Sequence, residues 1–320
     1  MNLQHQKIIQ AAERLCIDVI CLDDYGEKDA VILRHNGREE WVVDGNFLSQ
    51  LNLQNHLLCN NKQLTKEVFV RLDIPHPQSL VFADFENELA AIKKFWREGA
   101  IYVCKPLSGT EGEGVAMNIS SLQQLENYWQ NWRGKSDYFL LEEQVDGADL
   151  RLQAIDGKLA AACIREPAFI VGDGENSVES LIEKRREIIK KQNPANRIDI
   201  DASLMELLQQ QKLSMQSIPD SGQNVQLKYI ANMSQGARAI DVTDKIHPQY
   251  SQWLEQFADE TGMRLFALDV IAEDCTIYKP GTAWALEVNP QPEWLHHTFS
   301  EGKTHDIAGM ILEELFEISS

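Results

Sequence analysis

The spacing of apolar positions switches repeatedly between helical and strand patterns. In NKQLTKEVFVRL, residues 61–72, Leu64, Val68 and Leu72 fall on one stripe, which predicts a helix, and two prolines follow shortly afterwards. Residues 115–119 instead alternate apolar and polar side chains, which predicts a half-buried strand. The chain therefore mixes both types of element.

The same patterns predict elements along the rest of the chain. Strands are predicted at 17–22, 30–35, 41–43, 101–105, 138–143, 150–155, 158–165, and within RLFALDVIAE and TAWALEVNP. Helices are predicted at 1–15, 87–96, 176–191, 248–261 and 306–316. We expect residues 138–165 to form an antiparallel meander, and Asn176 with Glu179 to form a capping box. Since strands come in antiparallel runs beside helices, the class is α+β with some α/β character.

Charge and composition exclude several classes of function. The 320 residues are 43% apolar and 25% charged, an ordinary globular composition that favours two domains over one. The formal charge of -19 repels phosphate backbones and anionic lipids, so we expect no nucleic-acid and no membrane partner. No apolar stretch approaches the ~20 residues of a membrane span, and the first helix lacks the apolar block of a signal peptide, which predicts a cytoplasmic protein.

Cysteines and histidines give no metal motif. The six cysteines are scattered without a CxxC pair, and we interpret them as reduced, buried thiols. The eight histidines contain one adjacent pair, His296 and His297, and no HExxH. These two are helix-start residues or, alternatively, a wall of a substrate pocket. A transition-metal site is therefore not expected.

The segment SGTEGEG, residues 108–114, is a glycine-rich connection between two predicted strands. Gly109, Gly112 and Gly114 allow backbone N–H groups to approach phosphate oxygens, and Lys105 ends the preceding strand with a positive charge. The spacing matches neither GxGxxG nor GxxxxGK[ST], and no helix follows, which excludes a Rossmann or Walker loop. From the residues alone, a flexible hairpin without a ligand explains the segment equally well.

Polar residues interrupt two apolar strands near the C terminus. In TAWALEVNP, alternation places Glu287 and Asn289 on one face, about 6 to 7 Å apart. Asp269 stands in the otherwise apolar RLFALDVIAE, and the link EDCTIYKPGT allows the two strands to pair antiparallel. Two carboxylates and an amide oxygen are hard donors that suit Mg²⁺ carried on a nucleotide. The alternative is that they are strand-end residues facing water.

Two further signals are basic. Arg165 ends a predicted strand before the turn VGDG, where an arginine suits bidentate contact with a phosphate or carboxylate but is as often a surface ion pair. The run KRREIIKK, residues 184–191, is typical of a solvated helix face, although it could contact an acidic partner chain. Neither Arg165 nor the basic run defines a binding site by itself.

Taken with the pattern ExxxxGxD from Glu142 to Asp149, these features resemble the ATP-grasp enzymes. Within that superfamily, IREPAFIVGDGENSVESLIE, IPDSGQNVQLKYIANMSQGARAIDVTDKIHP, FALDVIAED and EVNP closely resemble the ATP-grasp domain of cyanophycin synthetase. The glutathione synthetase region of bifunctional glutathione synthetases is similar but more distant. The likeness runs from about Asn61 to Phe316.

The resemblance implies a fold and an activity. The fold would be ATP-grasp, with a small N-terminal α/β domain at 1–60, a subdomain carrying the glycine-rich loop at 61–135, and a C-terminal subdomain with the metal and substrate site at 136–320. The activity would be that of a carboxylate–amine ligase, which phosphorylates an amino acid or short peptide to an acyl phosphate and releases ADP. ATP and Mg²⁺ would be the cofactors, and the protein would be a homo-oligomer.

The resemblance also implies how the nucleotide is held. Lys66 and Lys105 would contact the phosphates of ATP, and the loop at 109–114 would close over them. Glu142 would face the adenine edge, and Asp149 the ribose hydroxyls. Closure of the loop would exclude water, which matters because an exposed acyl phosphate hydrolyses.

The remaining implied roles concern the metal and the reacting groups. Three residues would hold magnesium ions, namely Asp269, Glu287 and Asn289. Arg165 would steady the transferring phosphoryl group or the acyl phosphate, and Arg151 matches a family arginine near the substrate end. Phosphoryl transfer asks a protein mainly for positioning and charge neutralisation, and this set of residues agrees with that.

The chain departs from cyanophycin synthetase around the expected substrate end. That family has a further Mur-type ligase domain and a longer N-terminal domain, so this chain is not expected to run a two-ligase cycle alone. Glu111 and Glu113 replace a histidine and a basic residue, Arg238 replaces a small residue, and PQPEWLHHTF replaces a glycine-containing stretch. The substrates stay open, as do two alternatives: a degenerate ATP-binding partner subunit, and a kinase that releases a phosphorylated product.

Overall fold

Contacts along the backbone divide the chain into two compact units. The structure is a computed structural model that describes residues 2–22, 24, 26, 28–109, 113–194, 196–229, 231 and 235–318. Unit 1 comprises Met1–Gly45, Ala161–Asp244 and Glu293–Ser320. Unit 2 comprises Asn46–Ala160 and Lys245–Pro292. The three-part division implied by the family resemblance stays a prediction.

Helices and strands alternate in short groups along the chain. In the described residues the α-helices are α1 (Leu3–Arg14), α2 (Leu53–Asn60), α3 (Lys62–Arg71), α4 (Leu89–Phe95), α5 (Leu122–Trp132), α6 (Val178–Gln192), α7 (Ala202–Gln210), α8 (Pro248–Thr261), α9 (Leu295–Thr298) and α10 (Ile307–Phe316). The strands of the same residues are β1 (Asp18–Cys21), β2 (Ala30–His35), β3 (Arg38–Val43), β4 (Asn46–Phe47), β5 (Ser79–Phe82), β6 (Tyr102–Pro106), β7 (Ala116–Ile119), β8 (Phe139–Glu143), β9 (Ala148–Ile155), β10 (Lys158–Glu166), β11 (Phe169–Val171), β12 (Asn224–Gln226), β13 (Arg238–Asp241), β14 (Phe266–Ala272) and β15 (Ala283–Asn289).

The first segment of unit 1 is a helix followed by antiparallel strands. Asn2 caps α1, because its side-chain oxygen accepts from the backbone N–H of Gln4 at 2.8 Å. Asn36 and Gly37 connect β2 to β3 with φ angles of 48° and 81°, the left-handed conformation that a two-residue hairpin needs. β1 pairs antiparallel with β2, and α1 contacts α10. The helix and turn predicted from the sequence both form.

The rest of unit 1 contains two antiparallel pairs, β10 with β13 and β11 with β12. The predicted capping box of α6 is wrong, although the helix itself forms. Ser177 caps it, since its hydroxyl accepts from the N–H of Ser180 at 3.3 Å, whereas the Asn176 amide donates to Asp173 at 2.6 Å. The aspartate turn takes the asparagine away from the helix end, and the helix begins one residue later.

Unit 2 contains a four-stranded sheet with the order β5-β8-β6-β7, in which neighbouring strands pair antiparallel. β8 lies between β5 and β6, so the part of the predicted meander that places the strand at 138–143 beside the strand at 150–155 is wrong. The predicted turn at Asp156 and Gly157 does form between β9 and β10, with φ angles of 50° and 72°. Turn residues show where a strand ends but not which strand it meets in space. One face of this sheet packs into an apolar core with α4 and α5, and that core includes Phe82, Tyr102, Cys104, Phe139, Leu141 and Trp129.

A second group of strands in unit 2 has the order β9-β14-β15. β14 and β15 pair antiparallel through the ten-residue link, as the sequence predicted, with Asp269 opposite Glu287. The register shifts between Asp269 and Val270, because Val270 is opposite Ala285 and Leu286 is an extra residue. The strict alternation predicted for β15 is therefore interrupted by a bulge, while Glu287 and Asn289 keep a common face.

Two global expectations can be checked in the described residues. The α+β class is confirmed by the antiparallel sheets and the helices beside them. Four of the cysteines are buried, but Cys16 and Cys21 are exposed, so the expectation of buried thiols holds for only part of the set. Among the described helices, none has both the length and the apolar character needed to cross a membrane.

Candidate active site

Three predicted nucleotide-binding residues come together as one buried ionic cluster in unit 2. Lys66 lies on α3, Lys105 on β6 and Glu142 on β8. The Lys66 ammonium is 3.1 Å from Oε2 of Glu142, and the Lys105 ammonium pairs with Oε1 of the same carboxylate. Lys66 is fully buried and Glu142 is 3% exposed. One carboxylate thus holds two ammonium groups side by side.

The strand register explains why this polar cluster forms beside an apolar core. Lys105 is opposite Leu140, and Val103 is opposite Glu142, so Lys105 and Glu142 lie diagonally on one face of the sheet. The alternate residues Cys104 and Leu141 enter the apolar core on the other face. A shift of one residue would exchange the two faces.

Electrostatics fixes the charges within the cluster. Burial alone would raise the pKa of Glu142, but the attraction and hydrogen bonds of Lys105 and Lys66 outweigh it and lower the pKa to about 2. Burial lowers the pKa of Lys66 against the opposing effect of Glu142. Burial also acts to lower the pKa of Lys105, but Glu142 and Glu287 raise it above its ordinary value. Glu142 is therefore ionised at neutral pH.

Lys62 joins this neighbourhood without having been identified from the sequence. Asn61 caps α3 by accepting from the N–H groups of Gln63 and Leu64, which places Lys62 in the first turn. Its Nζ donates to the carbonyl oxygen of Gly109 at 2.8 Å. The spacing of four residues from Lys66, on a helix that the sequence did predict, is the signal that could have identified it.

The predicted metal ligands also come together in unit 2. Arg151 donates to both oxygens of Asp269, from Nε at 2.9 Å and from Nη2 at 2.8 Å. Glu287 is directly opposite Asp269 on the neighbouring strand, and its Oε2 is 3.6 Å from the Lys62 ammonium. Asn289 is placed with its amide 3.4 Å from Oδ2 of Asp269. The two carboxylates and the amide therefore share one face of the sheet.

This donor set fits magnesium in its chemistry, because it offers carboxylate and amide oxygens on paired strands. It contains two carboxylates only. Among the described residues there is no group of three or more His, Cys, Asp or Glu side chains that could hold a metal ion. A divalent ion here would depend on oxygens supplied by its ligand, as expected for an ion that arrives with a nucleotide.

The glycine loop is described at both ends. Gly109 has a φ of 148° and Gly114 a φ of 75°, a conformation that favours glycine. At Gly114 an added Cβ would lie 2.9 Å from Pro106 and from Trp132, and the carbonyl accepts from the Tyr128 hydroxyl at 2.7 Å. Gly112 and Glu111, also singled out in the sequence, lie outside the described residues. Gly114 is thus a tightly fixed end of the loop.

The other two predicted residues occupy different positions. Asp149 lies on β9, two residues before Arg151 and therefore on the same face of the strand. Arg165 lies near the end of β10 in unit 1, opposite Ala239 of β13. The roles predicted for both residues, contact with the ribose and with the phosphoryl group, stay predictions.

Arg238, where the chain departs from its relatives, is part of an ionic network in unit 1. It pairs with Glu166 at 3.1 Å and with Glu301, and it lies over the ring of Phe169 at 5.3 Å. Arg185 approaches the same Glu301 at 3.9 Å, and burial followed by repulsion from Arg238 lowers the pKa of Arg185. Both arginines line a pocket of about 280 Å³ with apolar walls.

Comparisons with known proteins give relatives for most of the chain. The cyanophycin synthetase of Crocosphaera subtropica is 32% identical over 269 residues, which cover 81% of this chain and 30% of the relative. The glutathione biosynthesis bifunctional protein GshAB of Streptococcus mutans is 29% identical over 301 residues, or 90% of this chain and 39% of the relative. No family model matches. The chain thus spans about a third of the length of these curated relatives.

Comparison with a solved structure identifies the fold. The bifunctional glutathione synthetase from Pasteurella multocida superimposes with a TM-score of 0.72 and 24% identity, covering 99% of this chain and 44% of that chain. The resemblance expected from the sequence is confirmed, both to cyanophycin synthetases and to bifunctional glutathione synthetases. The fold is that of the ATP-grasp ligases.

Proposed function

We propose that this chain, which has the ATP-grasp fold, is an ATP-dependent ligase that joins a carboxylate to an amine. The carboxylate oxygen attacks the γ-phosphorus of ATP, giving an acyl phosphate and ADP. The amine then attacks the acyl carbon, inorganic phosphate leaves, and an amide or peptide bond remains. The substrates we propose are amino acids or short peptides, the class suggested by the names of the relatives.

The observation that carries this proposal is the cluster of buried lysines. Lys66 and Lys105 are both enclosed in unit 2 and share the single carboxylate of Glu142. Two buried ammonium groups on one carboxylate leave an excess of positive charge. A polyphosphate is the ligand that such an excess favours, because its oxygens neutralise and hydrogen-bond several ammonium groups at once.

Each residue of the site has a separate role in this reaction. Lys66 and Lys105 bind and neutralise the phosphates, while the glycine loop supplies backbone N–H groups and excludes water. Asp269, Glu287 and Asn289 would hold Mg²⁺, which supplies charge neutralisation between the phosphates when it is bound. Glu142 and Asp149 keep their proposed contacts with the adenine and the ribose. Arg165 steadies the acyl phosphate, and Arg151 orients Asp269.

The test is release of phosphate by the purified chain. ATP and Mg²⁺ are supplied with a panel of amino acids and dipeptides, singly and in pairs, and products are identified by mass spectrometry. The panel includes N-acetylated members, which offer a carboxylate without an amine, and C-terminal amides, which offer an amine without a carboxylate. We expect phosphate release that needs both a carboxylate and an amine, together with a product lighter by one water than the sum of the pair. Lys105→Met should abolish it, whereas Lys94→Met, on the exposed face of α4, should not.

Other outcomes point to other functions. ADP formed from a carboxylate without any amine would identify a kinase that releases its phosphorylated product. Binding of ATP without turnover across the whole panel would favour a degenerate ATP-binding partner subunit. Absence of Mg²⁺-dependent stabilisation by ATP would contradict nucleotide binding as a whole.

A further inference from the structure

Lys62 connects the glycine loop to a predicted metal ligand. Its side chain is 10% exposed, and its ammonium lies 2.8 Å from the carbonyl oxygen of Gly109 and 3.6 Å from Oε2 of Glu287. Its backbone N–H also faces the carbonyl of Leu107 at 3.4 Å, just before the loop. One ammonium group therefore contacts both the beginning of the loop and the carboxylate proposed to bind magnesium.

We propose that Lys62 makes binding of Mg²⁺ at Glu287 depend on the nucleotide. This inference rests on the proposed function and deepens it, because it names the residue that sets the order in which the two ligands bind. The ammonium and a divalent ion compete for the same carboxylate oxygen. Mg²⁺ without a nucleotide meets this positive charge, and its binding is weakened.

Mg²⁺ does not avoid this competition by binding to Asp269, the neighbouring carboxylate, alone. Both oxygens of Asp269 accept from the planar guanidinium of Arg151, at 2.9 and 2.8 Å, and the side chain of Asp269 is 4% exposed. Such a bidentate pair has two bonds to break. Glu287 is more accessible, with a side chain 29% exposed, and its cation is a single ammonium on a flexible stem. The charge at Lys62 therefore governs access to the site.

A nucleotide removes the competition without moving Lys62 far. The triphosphate supplies anionic oxygens to which the ammonium can turn, and it neutralises the excess charge that repels the metal. The hydrogen bond to Gly109 keeps Lys62 at the beginning of the loop during this exchange. Mg²⁺ and nucleotide then bind more tightly together than either does alone, which is a coupling between two sites.

The test is calorimetric titration of Mg²⁺ alone into the full chain without nucleotide. Lys62→Gln keeps a donor for Gly109 and removes the charge, while Lys62→Met keeps only the apolar stem. We expect both to bind Mg²⁺ at least roughly tenfold more tightly than the unchanged protein, the gain that Coulomb's law gives in a water-like medium for one charge about 5 Å from a divalent ion. Lys62→Arg keeps the charge and should show no gain, and Lys94→Met is the matched control.

The double variant Lys62→Gln with Glu287→Gln identifies the oxygen involved. It should lose the gain, because the carboxylate for which ion and ammonium compete has gone. Thermal unfolding without Mg²⁺ checks that each variant is folded. If either Lys62→Gln or Lys62→Met fails to fold, the other still provides a neutral side chain at this position. Unchanged Mg²⁺ affinity in a folded neutral variant would overturn the inference, as would a gain that survives the double change.

A second titration separates this inference from the proposed function. ATP with Mg²⁺ is titrated into the unchanged protein. If no binding is seen, the nucleotide site itself is refuted. If ATP binds but Lys62→Gln shows no gain with Mg²⁺ alone, the nucleotide site stands and only the role of Lys62 is refuted.

Discussion

Replacing Glu142 by glutamine tests the buried cluster directly. Glu142→Gln keeps the shape of the side chain but removes the negative charge that faces Lys66 and Lys105. The two lysines then lie side by side with only the charge of Glu287 left to offset them, at a site from which water is nearly excluded. We expect a large loss of free energy of unfolding, because a buried charge without its partner is costly.

The magnitude follows from the pKa of Glu142 and from other buried pairs. A fall of the pKa from 4.5 to about 2 corresponds, at about 1.4 kcal/mol per pH unit, to about 3 kcal/mol of stability at neutral pH. Removal of one partner from a buried ion pair costs about 3 to 5 kcal/mol in other proteins. The two figures agree, so we expect Glu142→Gln to lower the free energy of unfolding by about 3 kcal/mol or more.

The dependence on pH has a definite sign. Since the folded protein holds the pKa of Glu142 below its ordinary value of 4.5, the unfolded chain binds more protons at acid pH. The contribution of this carboxylate is therefore fully present above about pH 4.5 and is lost as the pH falls toward about 2. The difference in stability between the unchanged protein and Glu142→Gln should shrink over that interval.

Urea unfolding followed by tryptophan fluorescence at pH 7, 5 and 3.5 measures this difference. The matched control in the same unit is Glu260→Gln, because Glu260 pairs with Arg71 at 3.9 Å in an exposed position. Such surface pairs contribute at most about 1 kcal/mol, so the control should shift the transition little. Equal midpoints for Glu142→Gln and Glu260→Gln, or a difference that does not change with pH, would refute the electrostatic account of the cluster.

Three further predictions concern other positions. Gly114→Ala should lower the free energy of unfolding by about 1 to 3 kcal/mol, since φ is 75° and the new Cβ would meet Pro106 and Trp132; a urea midpoint equal to that of the unchanged protein would contradict this. Gly262→Ala should cost only about 1 kcal/mol by the same assay, because the left-handed end of α8 has open space around it, and a larger loss than at Gly114 would refute the comparison. At pH 8 a thiol reagent should modify the exposed Cys16 and Cys21 in the folded protein and spare the buried Cys59. Burial, and to a smaller extent the charge of Glu287, raises the pKa of Cys59 to about 12, so its thiol is protonated at this pH. Rapid labelling of Cys59 would show that its burial is transient.

The helices and strands were predictable where a single periodicity persisted or where a residue of fixed conformation ended it. α8 is the clearest case, because Pro248 begins it and Gly262 ends it in the left-handed conformation, and both residues act through their own backbone geometry. The partner of β8 was not predictable in this way. Strand pairing depends on the packing of both faces against the rest of the unit, and turn residues between 144 and 147 carry no information about it.

The charged residues of the candidate site could likewise be predicted only in part from the sequence. The carboxylates of β14 and β15 were identifiable, because acidic residues in apolar strands are costly and require a partner. The partners of these carboxylates could not be predicted from the sequence. Arg151 contacts Asp269 because the register of β9 against β14 places the two residues opposite each other. Lys62 was missed because its contacts with Gly109 and Glu287 join positions 47 and 225 residues away in the chain.

The bulge at Leu286 lies directly beside the two paired carboxylates. Leu286 is the residue left without a partner between the pair of Val270 with Ala285 and the pair of Asp269 with Glu287. Deletion of Leu286 would make these two pairs consecutive in a regular antiparallel ladder, so Asp269 and Glu287 should stay opposite each other. The gain in affinity for Mg²⁺ produced by Lys62→Gln should therefore persist in the deletion variant. If the gain were lost in a folded deletion variant, the pairing of Asp269 with Glu287 would not be what defines the metal site.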